Sequence, residues 1–329
     1  QTTQTRTPNQ GETKMTTTKI QMRTRLEASS RPTKSRRTIK SMVNAGTTLK
    51  QRQAAFLRGW NNDRTAIAAA KRAMIPHRVR HGFAAVAAPM TGAPDTNRKL
   101  IKGDLPSYGL TIAAHMVRLK DGRYVNTCQW AGQCSAVCVL KRGHGGRTSV
   151  QRARAYKTDF LAFDTSHALT LVGAELAAGV RKHGEIAFRS DVNSDLSAAL
   201  LFGDALQQIP QITAYNYTKN PAALTDHNRL GADHLAYSFS ETSDAAAVNK
   251  SSANVAVVTD RQYGDPIAQW HPTRKVVDAD LSDLWMLADN VIGDLSFKRD
   301  SVDIPDRLTF VQRVGYTDAE LSPIAMATA

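Results

Sequence analysis

Cysteine is scarce: the chain has three in 329 residues, all between positions 128 and 138. An odd number packed into one short stretch argues against a secretory disulfide framework and fits a reducing compartment. Aromatics make up 6% of the chain against 42% hydrophobic residues overall, so a core has to be built mainly from Ala, Val, Leu and Ile. No apolar run reaches the roughly 18 residues that a membrane-spanning helix needs, and no membrane partner is expected. The polar N-terminal stretch lacks the apolar segment of a signal peptide, so the expected location is the cytoplasm.

Acidic residues are also scarce in the first third. Residues 1–102 hold 21 Lys+Arg against 4 Asp+Glu, while the rest of the chain's 43 and 29 divide as 22 and 25. The net charge of +14 therefore belongs to the N-terminal third. Polycations bind phosphates with little specificity. A nucleic acid is thus the expected partner of residues 1–102, with a solubilising extension as the alternative.

Residues 1–48 are rich in Thr, Arg and Lys, hold few large apolar side chains and read as a disordered basic tail. Residues 49–75 form an Ala-rich helical segment that Asn61-Asn62-Asp63 divides and Pro76 ends. The Pro- and Gly-containing stretch 76–108 reads as a linker. The body spans residues 109–300, and 301–329 form a C-terminal tail. Within the body, Leu110 to Leu119 reads as a strand, with helices over Ser149–Phe163 and His167–His183. Short apolar runs then alternate with helical or turn segments: Glu185–Val192, Ile212–Tyr217, His234–Phe239, Asn254–Thr259, Val276–Val277 and Asn290–Phe297. A helix is expected at Ser197–Gln208 and a short one near Asp244–Lys250. This alternation predicts an α/β fold, either a partial (β/α) barrel or a parallel-sheet domain, carrying the basic extension.

The apolar runs end in polar groups. Asp191 and Asn193 close the first, Tyr217 and Lys219 the second, and Glu241 the third. Ligands of parallel sheets bind outside the carboxyl ends of the strands. These five residues are therefore the candidate catalytic set.

The cysteines read Cys128-x5-Cys134-x3-Cys138. Thiolates are soft ligands suited to zinc and iron–sulfur clusters, and close spacing brings them together with little loop-closure entropy. Three ligands leave one position open, as a catalytic centre does. His144 completes the alternative, a closed zinc site of three cysteines and one histidine in a nucleic-acid-binding protein without catalysis. The basic, Gly-rich stretch Lys141–Arg147 ahead of a helix near Ser149 is a weak anion-binding signal.

Thr127-Cys128-x5-Cys134-x3-Cys138, followed by Arg147-Thr148-Ser149-Val150-Gln151-Arg152-Ala153-Arg154, resembles the phage gene product 88 family of actinobacterial viruses. So do Phe188-Arg189-Ser190-Asp191-Val192 and Ala214-Tyr215-Asn216-Tyr217-Thr218-Lys219, in that order. Asn254–Val258, Val277–Asp280 and Val291–Leu295 complete a similarity over about residues 104–299. The resemblance implies a phage accessory protein in a bacterial host cytoplasm. It also implies an iron–sulfur centre distantly similar to that of radical-SAM proteins, which use three cysteines on a partial β/α barrel and leave one iron for SAM. Cys128, Cys134 and Cys138 would then bind the cluster, and the strand-end residues would face a nucleic acid or nucleotide. The spacing departs from the radical-SAM pattern Cys-x3-Cys-x2-Cys, and Val139 stands where relatives carry an aromatic.

Overall fold

The computed structural model describes residues 38–94, 105–135, 138, 143–220, 234–238, 254–259, 275–288, 291–296 and 311–312. Three helices come first: α1 (Ile39–Gly46), α2 (Leu49–Trp60) and α3 (Arg64–Arg80). Thr38 and Ser41 cap α1 reciprocally, and Thr48 and Gln51 do the same for α2. The Asp63 carboxylate accepts from Ala66 N at 2.9 Å and opens α3. Each such cap satisfies amides that the first helical turn leaves unpaired, at about 1 kcal/mol apiece.

Two sequence expectations need correcting here. The basic tract is helical from Ile39, because Ile39, Met42 and Val43 find a buried face; residues 1–37 lie outside the described residues. Pro76 does not end its helix, which continues to Arg80. Proline removes one backbone hydrogen bond. Met74 and His77 on either side of it are buried, so tertiary packing carries the last turn.

Next come β1 (Thr91–Gly92), β2 (Ser107–Leu110), β3 (Met116–Arg118) and β4 (Tyr124–Asn126). The single strand expected over Leu110–Leu119 is therefore two strands in different sheets. β2 pairs with β1 in the main sheet, whereas β3 and β4 form a separate hairpin. Between them, Thr158 Oγ1 accepts from Ala113 N, and His115 turns the chain with a φ of 60°.

Helices α4 (Thr148–Phe163) and α5 (Thr165–His183) lead to β5 (Ile186–Arg189), α6 (Ala198–Phe202), β6 (Ile212–Thr218), β7 (His234–Ser238) and β8 (Asn254–Thr259). The chain continues through β9 (Lys275–Asp278), a 3-10 turn at Asp283–Leu287, β10 (Val291–Ser296) and β11 (Val311–Gln312). The helix expected up to Gln208 stops at Phe202. Gly203 follows it at a φ of 56°, a left-handed backbone that ends the helix. The short helix expected near Asp244–Lys250 lies outside the described residues.

The fold is α/β, as expected. Among the described residues its main sheet has nine strands ordered β1-β2-β5-β6-β7-β8-β10-β9, with β11 on the end of β8. Every pairing in it is parallel except β1 with β2. Among the described residues the path runs from β1 to β9 without closing into a barrel.

Strand alternation divides two cores. Ile186, Phe188, Ile212 and Ala214 face the helices, in one cluster with Phe56, Met74, Phe160 and Leu169. Helices α2 and α5 cross there at Gly59 and Gly173. A Cβ on Gly59 would lie 1.9 Å from Thr170 O, and one on Gly173 2.2 Å from Phe56 O. The segments expected as a helical segment and a linker thus share the core of the sheet, with Met90 also buried in it. On the opposite face, Ala187, Tyr215, Ala236 and Ala256 pack against Met286.

Candidate functional site at the carboxyl edge

β5 to β8 run parallel and deliver their carboxyl ends to one edge. Past β5 the chain forms a tight loop, Ser190–Leu196, over the helix-covered face. Asp191 is buried at its centre. Its Oδ1 accepts from Asn193 N at 3.1 Å and Ser194 N at 2.8 Å, and its Oδ2 accepts from Leu196 N at 2.6 Å and from Ser194 Oγ. Burial raises the Asp191 carboxyl above its ordinary range, and these hydrogen bonds work against that shift. With its oxygens occupied this way, Asp191 shapes the loop rather than facing a ligand.

Asn193 anchors the same loop. Its amide, oriented so that donors meet acceptors, donates to Val192 O at 3.3 Å and accepts from Arg154 Nε of α4 at 3.2 Å.

Asp195 differs from both. Its Oδ1 accepts from Thr218 Oγ1 at 2.6 Å and from Lys219 N at 3.4 Å. Its Oδ2 is buried with no hydrogen-bond partner among the described residues. Burial raises this carboxyl to about 6; the Thr218 hydroxyl opposes the shift and the Asp191 charge adds to it. Ser190 Oγ, at the end of β5, is likewise buried without a partner among the described residues. Buried polar atoms lacking partners are rare, and each is a place where a water, ion or ligand group can bind.

On the opposite face of the edge, Arg189 meets Asp283. Arg189 Nη1 donates to Asp283 Oδ2 at 2.7 Å, and its Nε to Asp191 O at 3.2 Å. Burial lowers Arg189, but Asp283, together with Tyr217, Tyr215 and Asp191, more than offsets it and raises the guanidinium above its ordinary range. Tyr217 completes the group. Its hydroxyl donates to Asp283 Oδ1 at 3.2 Å and accepts from Trp285 Nε1 at 2.9 Å, and its ring lies 4.7 Å from the Arg189 guanidinium. Burial and the Asp283 charge push the Tyr217 phenol well up, so it is a neutral hydrogen-bonding group.

Of the five strand-end candidates, the structure brings together Asp191, Asn193, Tyr217 and Lys219. Glu241 lies outside the described residues. Sequence reasoning left Arg189, Asp195, Asp283 and Trp285 out of the candidate set. Arg189 and Asp195 carried a signal, as they flank the polar run after β5. Asp283 and Trp285 carried none, because only the folded chain brings the 3-10 turn onto the edge.

The cysteine segment reaches this edge. Asp195 N donates to Thr127 O at 3.0 Å, and Cys128 Sγ lies 3.9 Å from Asn193 O and accepts from His115 N at 3.2 Å. Burial pushes the Cys128 thiol up, and the Asp191 and Asp195 charges add to the shift. Arg154, which reaches Asn193, also lies within electrostatic range of Cys138.

Among the described residues, no group of three or more His, Cys, Asp or Glu stands together as a metal ion requires. His144 is exposed on the Gly143–Gly146 turn. Among the described residues, neither three thiolates nor three thiolates with His144 stand together.

No helix among the described residues is long and apolar enough to cross a membrane. No curated protein and no solved structure matches the chain. The family model described as Gene product 88 matches residues 91–306, which takes in the sheet apart from β11, the cysteine segment and the carboxyl edge, and the chain belongs to that family.

Proposed function

We propose that this is a phage accessory protein that binds, and acts on, a nucleic acid or nucleotide at the carboxyl edge of its sheet. The observation that carries this reading is the meeting of two features that are far apart in sequence. The segment holding Cys128 folds onto the Asp191–Asp195 loop, beside two buried polar atoms, Ser190 Oγ and Asp195 Oδ2, that lack partners among the described residues. A carboxyl held near 6 exchanges protons readily at neutral pH, as a general acid or base must. The basic excess of residues 1–102 supplies favourable electrostatics for a phosphate-bearing ligand.

Thermal-shift measurements with ribonucleoside and deoxyribonucleoside triphosphates test the proposal. The expected result is a raised melting temperature that the Asp195→Ala variant no longer shows. No shift with any nucleotide, together with no oligonucleotide binding, would sink it.

An iron–sulfur centre on Cys128, Cys134 and Cys138, with zinc as the alternative and SAM as a co-substrate, is a finer proposal that rests on the sequence spacing and the family. It requires the thiols to gather beyond their placement here. Elemental analysis of protein purified without oxygen decides it. Stoichiometric iron with sulfide supports the cluster, and zinc alone supports the alternative. Neither metal would leave the function with the carboxyl-edge residues.

A further inference from the structure

The β3–β4 hairpin stands outside the main sheet, and its two faces differ. Val117 and Val125 pair across it and are buried. Arg118 and Tyr124 pair on the other face and are both exposed, Tyr124 by 56%. A few residues further on, Trp130 is 38% exposed. These are the two exposed large aromatics among the described residues, and both lie within the stretch from Tyr124 to Trp130.

Cations lie along the hairpin and at the helix ends beside it. Arg80 of α3 donates to Lys120 O at the hairpin turn, and Arg152 of α4 donates to His81 O at 2.6 Å beside the end of α3. Lys120 Nζ lies 4.3 Å from the Phe163 ring centre. Two acidic groups face this region. Asp121 is paired with Arg123, and buried Asp159 is taken by His81 Nε2 and Lys120 N. Arg118, Lys120, Arg80 and Arg152 have no ion pair among the described residues.

We infer that the outer face of the β3–β4 hairpin binds a single-stranded nucleic acid and leads it to the carboxyl edge. Exposed aromatic rings among uncompensated cations are what unpaired bases and their phosphates recognise, whereas a duplex hides the base faces. The chain itself links the hairpin to the edge: it passes directly from β4 through Thr127 and Cys128, whose atoms reach Asp195 and Asn193. The inference rests on the carboxyl-edge reading above and gives that site its substrate form.

Fluorescence anisotropy of the full-length protein with labelled oligothymidylate, oligouridylate and a matched duplex provides the test. Single strands are expected to bind more tightly than the duplex. Tyr124→Ala and Trp130→Ala should each weaken single-strand binding by roughly fivefold to a hundredfold, the effect of losing one base–aromatic stack. Arg118→Ala should reduce the slope of log affinity against log salt by about 0.7. All three side chains are exposed, so the melting temperatures of these variants should match that of the parent chain. Unchanged affinity in both aromatic variants, or tighter binding of the duplex, overturns the inference. So does binding that disappears only in a full-length variant whose Lys and Arg in residues 1–37 are replaced by Gln. Hairpin-dependent binding alongside no nucleotide shift and no effect of Asp195→Ala leaves the inference standing and removes the carboxyl-edge reading.

Discussion

Arg189 and Asp283 meet at 2.7 Å across the carboxyl edge, although 94 positions separate them in the chain. Both side chains are nearly inaccessible, at 11% and 2%. The pair joins the last residue of β5 to the 3-10 turn that covers the opposite face of the sheet.

Removing one partner of this pair strands the other. Asp283→Ala should destabilise the fold by about 3–5 kcal/mol, the usual cost of leaving a buried charge uncompensated. Replacing both residues with apolar ones of similar volume should cost much less than the single change. Urea denaturation of the two variants checks this, and equal losses would mean that the ion pair itself is not responsible.

Asp195 should make stability depend on pH. Its folded pKa of about 6 lies above the ordinary aspartate value near 3.9. Between those values the folded state holds the proton more tightly than the unfolded chain. The contribution of this group is therefore fully present below about pH 4 and is lost as pH rises through about 6. Asp195→Asn should stabilise the protein at pH values above 7 by on the order of 2 kcal/mol, with the advantage fading towards pH 4. Thermal melts across pH read the difference, and a pH-independent gap would contradict the assignment.

The crossing of α2 and α5 leaves no room for a methyl group. Gly173→Ala places its Cβ 2.2 Å from Phe56 O, against backbone that cannot swing aside. The expected loss is about 1–3 kcal/mol or more, with faster proteolysis between α1 and α3 as the helices lift from the sheet. Gly184→Ala is the contrast. No atom lies within 4 Å of a Cβ there, so its cost is limited to the φ of 82°.

Glu175 ties β1 to the helices. Its carboxylate accepts from Met90 N and Thr91 N, each at 2.8 Å, and from Thr91 Oγ1 at 2.6 Å. Glu175→Ala should lower stability by several kcal/mol, since two buried amides lose their acceptor at about 1–3 kcal/mol each. Hydrogen exchange at Met90 and Thr91 should accelerate more than at β5. Uniform acceleration would show that the effect is not local.

What the amino-acid order determined by itself were the features set by short-range physics. The break at Asn61-Asn62-Asp63, the helices α4 and α5, and the alternation of apolar runs with helical segments are legible in spacing and capping residues. The class of fold follows from them. Tertiary structure decided the rest. Pro76 stays inside a helix because its buried neighbours outweigh one lost hydrogen bond. Leu110–Leu119 splits because β2 and β3 pair with different partners, which no local pattern records. At the site, the sequence pointed to the strand ends but not to which carboxyl remains available. Asp191 and Asp195 look alike in the chain. The fold spends every oxygen of Asp191 on its own loop and leaves one oxygen of Asp195 buried without a partner among the described residues, and that difference arises only when β6 and the cysteine segment close around them.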